Sequence, residues 1–235
     1  MSKKQVHFIV QSKGGVGKSF LTYLLALKNQ FKENAAFFDL DSSTQTSVNQ
    51  LKFLKDKNRV YKISLLDDRK KIIRDRLFTS IKKIVEIPDF QTYFLDFGAP
   101  ESEQLPALFS IDFKASALKK FENQINATFI FHVVIAGNTA YMASMEYLKS
   151  IIQTLSGHFP IIAHTNENSF YGFQEILEEA KNYCTKNQVE FRCFGDIDTQ
   201  SHVGNQILNL IQQGAGIETY DILEQLKIEE EFEKL

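Results

Sequence analysis

The 235-residue chain has little of what marks several protein classes. Two cysteines, Cys184 and Cys193, are too few for a disulfide framework, and no C-x-x-C pair is present to hold an iron–sulfur cluster. They are read as two buried thiols, kept reduced. The first apolar run, Val6 to Val10, is too short for a signal peptide or a membrane span, so a cytoplasmic protein is expected. The four prolines are read as lying at element edges, and without a Gly/Ser linker or an internal repeat one domain is expected over residues 1–235. The net charge of -2 gives no strong overall field toward nucleic acid or anionic lipid, so any such contact must be local. His7, His132, His158, His164 and His202 are scattered singly, without metal-ligand spacing, and core or surface placement suffices for each.

What is present is an ordinary globular balance, 43% hydrophobic and 24% charged, enough for a compact core. Strand-length apolar runs fall at Val6–Gln11, Ala35–Leu40, Thr92–Asp96, Thr128–Ala136, Pro160–Thr165 and Val189–Phe194. Helical periodicity separates them, near Lys18–Phe31, Asp67–Val85, Glu103–Gln124, Ala140–Leu155, Phe173–Lys186, Ser201–Gln213 and Tyr220–Phe232. Alternation of this kind predicts an α/β fold: a mostly parallel, twisted sheet with helices on both faces.

One segment carries chemistry. Ser12-Lys13-Gly14-Gly15-Val16-Gly17-Lys18-Ser19 follows the first strand and opens the first helix. Glycines allow successive backbone N–H groups to turn toward phosphate oxygens, and the helix N-terminus adds its positive end. Lys18 would reach the β- and γ-phosphates and the Ser19 hydroxyl would ligate Mg²⁺. Ser12 stands where a strict Walker A motif has glycine, so only the deviant form is met. Asp39 and Asp41, two residues apart at the end of the second strand, share a face beside this loop; one can organise metal-bound water and the other can position the attacking water. Asp96 closes the apolar strand Tyr93-Phe94-Leu95 and precedes Phe97-Gly98, a Walker B shape in which Asp96 holds Mg²⁺ through a water.

Together, Lys13 to Ser19, Asp39-Leu40-Asp41 and Asp96-Phe97-Gly98 resemble the deviant Walker A ATPases of the MinD and ParA group. The spacing matches along most of the chain, and within the group the opening Val6 to Phe20, the Asp96-Phe97-Gly98-Ala99 loop without a double proline and the strand-turn Phe131 to Gly137 are most similar to the TraL-type proteins of conjugative plasmids. The resemblance implies a single-domain P-loop NTPase that binds ATP and ADP with Mg²⁺, hydrolyses ATP slowly, and forms a homodimer on binding ATP. Lys13 would be the lysine that crosses to the partner's nucleotide, and Lys13, Lys18 and Asp41 the catalytic set. Gly14, Gly15, Val16, Gly17, Lys18, Ser19 and Phe20 would bind nucleotide, Asn166 would read adenine, and Ser19, Asp39 and Asp96 would hold the metal. A plasmid-encoded protein partner is implied, in partition, stability or conjugative transfer. Ser42 and Phe20 depart from the pattern, standing where a proline and a second hydroxyl residue are usual, which leaves the rate of hydrolysis open.

Charge is uneven. Lys52 to Lys83 holds twelve basic residues against four aspartates, while Glu229 to Glu233 is almost all acid. The basic stretch suits non-specific contact with DNA phosphates, and a solvated amphipathic helix face is the blander reading. The C-terminal helix has an acidic polar face that anionic lipid would repel, so core or dimer packing is expected there and no membrane role. Two other functions fit the same residues: a nucleotide-binding adaptor that recruits a protein and hardly hydrolyses, or a small-molecule kinase or ligase.

Overall fold

The computed structural model describes residues 3–42 and 46–235. Its strands are β1 (Lys4–Val10), β2 (Ala35–Asp39), β3 (Val60–Lys62), β4 (Thr92–Asp96), β5 (Ala127–Ala136), β6 (Ile161–Asn166) and β7 (Glu190–Phe194). They form one all-parallel sheet in the order β3-β2-β4-β1-β5-β6-β7. Its helices are α1 (Lys18–Lys28), α2 (Thr46–Gln50), α3 (Lys52–Lys55), α4 (Arg74–Val85), α5 (Ala99–Ala107), α6 (Ala115–Gln124), α7 (Tyr141–Leu155), α8 (Gln174–Lys186), α9 (His202–Gln213) and α10 (Ile222–Lys234). Among the described residues no helix is long and apolar enough to cross a membrane.

Strand alternation sends each run to two cores. Val6, Phe8 and Val10 face the helices α4 to α8, while Ile9 faces the layer formed by α1, α3, α9 and α10. The connection after β1 therefore enters α1 on one face, and the connection after the neighbouring β4 enters α5 on the other. The two chains part at the carboxyl edge and leave a crevice between them, the place where parallel α/β sheets bind ligands.

Six strands lie where the apolar runs predict them. β3 does not follow from any such run: it is three residues in a basic stretch, at the sheet edge, held by Phe37 opposite Val60 and Phe38 opposite Tyr61. The helix expected from Asp67 begins only at Arg74. Asp67 instead folds the chain into a turn, its Oδ1 accepting the N–H groups of Arg69 and Lys71, with Lys70 left-handed and Leu66 bridged to Ile72. The helix expected over 103–124 starts earlier, at Ala99, and breaks into α5, a π-helical turn at Leu108–Asp112, and α6.

Pro106 lies inside α5 and not at an element edge. Its missing N–H would leave the Ser102 carbonyl unpaired, and the Tyr147 hydroxyl from α7 donates to that oxygen at 2.9 Å.

The histidines are not all isolated. On the α1 face, His7 Nδ1 lies 2.8 Å from His132 Nε2, and His132 Nδ1 lies 2.8 Å from His164 Nε2, a chain of imidazoles crossing β1, β5 and β6. Phe94 and Phe37 continue it as a stack from His7, with ring centroids 4.7 and 4.8 Å apart. Burial, with a contribution from Arg192, lowers His7 to a pKa of about 4 and His164 to about 3, so the chain is neutral at pH 7. Cys184 is buried as expected, but Cys193 is half-buried and accepts the Thr165 hydroxyl at 3.3 Å; both are free thiols.

Candidate functional site

The loop after β1 turns on Gly15 (φ 75°) and Gly17 (φ 109°), both left-handed, and delivers the chain into α1. Lys18 folds back over the loop: its ammonium donates to the Gln11 carbonyl at 2.9 Å and to the Lys13 carbonyl at 3.4 Å. Burial lowers its pKa, and the carboxylates of Asp96, Asp41 and Glu101 work against that shift. The lysine is thus held at the loop by carbonyls, with the countercharge close by.

Gly14, Gly15, Gly17, Lys18, Ser19, Phe20 and Asp41 line one cavity of about 360 Å³, together with Gln50, Phe97 and Ala99. A larger depression of about 570 Å³ lies beside Ser12 between α5 and α7, but no residue lining it carries a buried, unpartnered polar atom. The smaller cavity has such an atom in Gln50 Oε1, which finds no hydrogen-bond partner among the described residues.

Asp39 and Asp96 sit directly opposite each other on β2 and β4 at the carboxyl edge, and neither lines the cavity. Asp39 Oδ1 accepts the Asp41 N–H at 2.9 Å, whereas Oδ2 is buried without a partner among the described residues. Burial raises the Asp39 pKa, opposed by its backbone hydrogen bonds. Of the three expected metal-holding residues, only Ser19 lines the cavity. Lys13 is exposed at the loop's rim, its N–H donating to Gln11 Oε1 at 3.3 Å. Val16 is buried, and its carbonyl accepts Asn166 Nδ2 at 3.1 Å.

Asn166, at the end of β6, is therefore against the loop. A Cβ on Gly17 would meet Asn166 Nδ2 at 2.8 Å, and one on Gly195, after β7, would meet Asn166 Oδ1 at 2.8 Å and Phe20 Cε1 at 3.1 Å. Asn166 Oδ1 is buried and has no hydrogen-bond partner among the described residues. Phe20 leans on Phe194, with centroids 5.8 Å apart.

Three residues of the site do not follow from the motifs. Glu101 is fully buried in the first turn of α5, with Oε1 accepting the Ser42 N–H at 3.1 Å and Oε2 unpartnered among the described residues. Gly98 makes room for it: a Cβ there would strike Glu101 Oε2 and lie 2.7 Å from Asp41 Oδ1. Pro100 one residue ahead of an acid is a helix-start signal that could have found Glu101. Gln11 braces the loop from behind, its Nε2 donating to the Val134 carbonyl at 2.7 Å and its N–H to Ser102 Oγ at 3.2 Å. Gln50 carries no local signal.

The basic stretch changes character once folded. Arg59 is buried, donating to the carbonyls of Ala35, Gln30 and Asn29 at 2.6, 2.8 and 2.9 Å, so it is a structural arginine. The Arg74 side chain lies outside what the structure describes. Lys52, Lys55, Lys57, Lys62, Arg69, Lys70, Lys71, Arg76, Lys82 and Lys83 are exposed, spread over α3, β3, the turn and α4.

Solved structures share this architecture. The MinC:MinD cell division protein complex of Aquifex aeolicus matches with a TM-score of 0.56 at 9% identity, over 95% of this chain and 92% of that one. The MinD cell division protein of the same organism matches with a TM-score of 0.52 at 13% identity, over 95% and 93%. Chloroplast FtsY from Physcomitrella patens gives 0.51 at 14% identity, over 97% of this chain and 65% of that one. No protein-family model and no curated protein matches the sequence. At these identities the likeness is one of fold: the chain shares the architecture of the MinD structures.

Proposed function

We propose that residues 1–235 form a single ATPase domain that works as a nucleotide-driven dimerisation switch of the MinD and ParA kind. One observation carries the reading: Gly14, Gly15, Gly17, Lys18, Ser19, Phe20 and Asp41 surround one cavity, with Asn166 packed against the loop from the β6 side. Backbone N–H groups of Gly14 to Gly17 would hold the phosphates, and Lys18 would turn from its own loop carbonyls to the β- and γ-oxygens. The unpartnered Asn166 Oδ1 suits the exocyclic amine of adenine, a donor where guanine has an acceptor.

Ser19, Asp39 and Asp96 fit Mg²⁺: the donors are all oxygen, and the buried Asp39 Oδ2 lacks a partner among the described residues. Bound there, the ion would neutralise charge on the phosphates. Asp41, beside Gly98, would orient water for in-line attack, breaking the β,γ bond to give ADP and phosphate. Lys13, exposed at the rim, is placed to reach a second copy. The dimer would act in the cytoplasm for a plasmid-encoded partner, in partition, stability or conjugative transfer. The ten exposed basic side chains between Lys52 and Lys83 would supply non-specific DNA contact. A second reading, an adaptor that binds ATP and hardly turns over, is favoured by Phe20, whose ring occupies the wall where a hydroxyl would touch phosphate.

Titration of the protein with Mg-ATP, followed by phosphate release, tests both. Binding with turnover that Asp41→Ala abolishes supports the switch. Binding with negligible turnover in the wild type supports the adaptor, and absence of binding defeats both.

A further inference from the structure

Three acids converge on the far side of the base-facing loops. Glu167, Asp196 and Glu231 bring carboxylate oxygens within 4.8 Å of one another, an arrangement that could attract a metal ion. The Lys234 ammonium already lies against them, 2.6 Å from Glu167 Oε2, 2.9 Å from Glu231 Oε1 and 3.8 Å from Asp196 Oδ2. The cluster is a clamp with a tethered cation, and what it clamps is informative. Glu167 follows Asn166 directly. Glu231 is fully buried, and its other oxygen accepts the Gly195 N–H at 2.5 Å. Gly195 in turn is packed on Asn166 Oδ1 and Phe20. At the C-terminal end of α10, Lys28 at the end of α1 donates to the Phe232 carbonyl at 2.6 Å. The last turns of α10 are thereby tied to the loop after β6, the loop after β7 and the helix that begins with Lys18.

We infer that Glu231 and Lys234 are positioning residues for the nucleoside half of the nucleotide site. They fix Asn166 and Gly195 in register with the loop at Gly17, and neither of them lines the cavity that holds Lys18. This rests on the reading that the site binds ATP. Glu231 and Lys234 lie outside the cavity lined by the β1–α1 loop with Asp41, Gln50, Phe97 and Ala99, whereas the loops after β6 and β7, which carry Asn166 and Gly195, are tied directly to α10. Release of the clamp leaves the cradle intact and frees the Asn166 amide, whose Oδ1 is then no longer held toward the base.

The test compares two probes, ATP and inorganic tripolyphosphate, each with Mg²⁺, by equilibrium titration of the full chain. Lys234→Met removes the ammonium; Glu231→Gln keeps an acceptor for Gly195 and weakens the ion pair. Both should lose about tenfold in affinity for ATP while tripolyphosphate binding stays within twofold, and Lys234→Arg should restore ATP affinity. Asn166→Ala should show the same ATP-selective loss, and Asn166→Ala with Lys234→Met should lose no more than either alone, because both act through one amide. Equal losses for ATP and tripolyphosphate, or unchanged ATP affinity, would overturn the inference. Additive losses in the double variant would do the same. A wild-type chain that binds neither probe defeats the nucleotide reading itself, a result distinct from all of these.

Discussion

Two lysines of this chain stand among three carboxylates each, and their surroundings have opposite consequences. Lys18 gives hydrogen bonds to the backbone carbonyls of Gln11 and Lys13, and Asp96, Asp41 and Glu101 act on it through space. Burial dominates, so its pKa falls. Lys234 gives its hydrogen bonds to carboxylates directly, and although burial pulls its pKa down, Glu167 and Glu231 raise it overall. The second lysine is consumed by its partners, which is what a clamp requires. Around the first, polar capacity is left over: Asp39 Oδ2 and Glu101 Oε2 are buried with no hydrogen-bond partner among the described residues. Buried polar atoms are costly unless something satisfies them, so the unsatisfied cluster points to an incoming ligand and the satisfied one to architecture.

Breaking the first cluster should have the largest effect. Lys18→Ala removes the charge proposed to meet the phosphates and leaves its carboxylates uncompensated; ATP affinity should fall about a hundredfold or more in a binding titration. Gly98→Ala attacks the same cluster by volume. The added methyl collides with Glu101 and Asp41, and urea unfolding should show a loss of about 1–3 kcal/mol, with turnover reduced because Asp41 is displaced.

The imidazole chain on the same face offers a third case, polar but uncharged. His7 titrates near 4 and His164 near 3 when folded, against 6.5 in the unfolded chain. With the folded values depressed, the unfolded state takes up protons first. Stability from this source is therefore complete above pH 6.5 and is lost as pH falls toward about 4. Urea midpoints measured between pH 7.5 and 4.5 should decline over that range, and more shallowly in His7→Phe. The smallest effect belongs to the rim of the clamp. Lys227 pairs with Asp196 at 3.4 Å and Glu230 at 3.0 Å, both partners being well exposed, so Lys227→Ala should cost at most about 1 kcal/mol in the same assay.

The clusters also differ in how far they can be read from residue order. The Lys13–Ser19 loop, Asp39, Asp41 and Asp96 are legible because each follows an apolar run, and parallel strands bring such ends to one edge. Asn166 is legible only through resemblance, since nothing local says that the end of β6 reaches Val16, 150 positions away. The clamp and the imidazole chain are illegible for the same reason: Lys234 meets Glu167 across 67 positions and His7 meets His132 across 125. Helix breaks at Pro106 and Asp67 carried local signals, but helical periodicity on both sides masked them. β3 was hidden because three edge residues gain their order from β2 and not from their own apolarity.

Light scattering of the purified protein with Mg-ATP, with Mg-ADP and without nucleotide, run beside Lys13→Ala, tests the switch most directly. ATP alone should double the mass, and Lys13→Ala should abolish the doubling while still binding ATP. A mass that does not change although ATP is bound would contradict the dimerisation switch and leave Lys13 as a residue of the loop's rim.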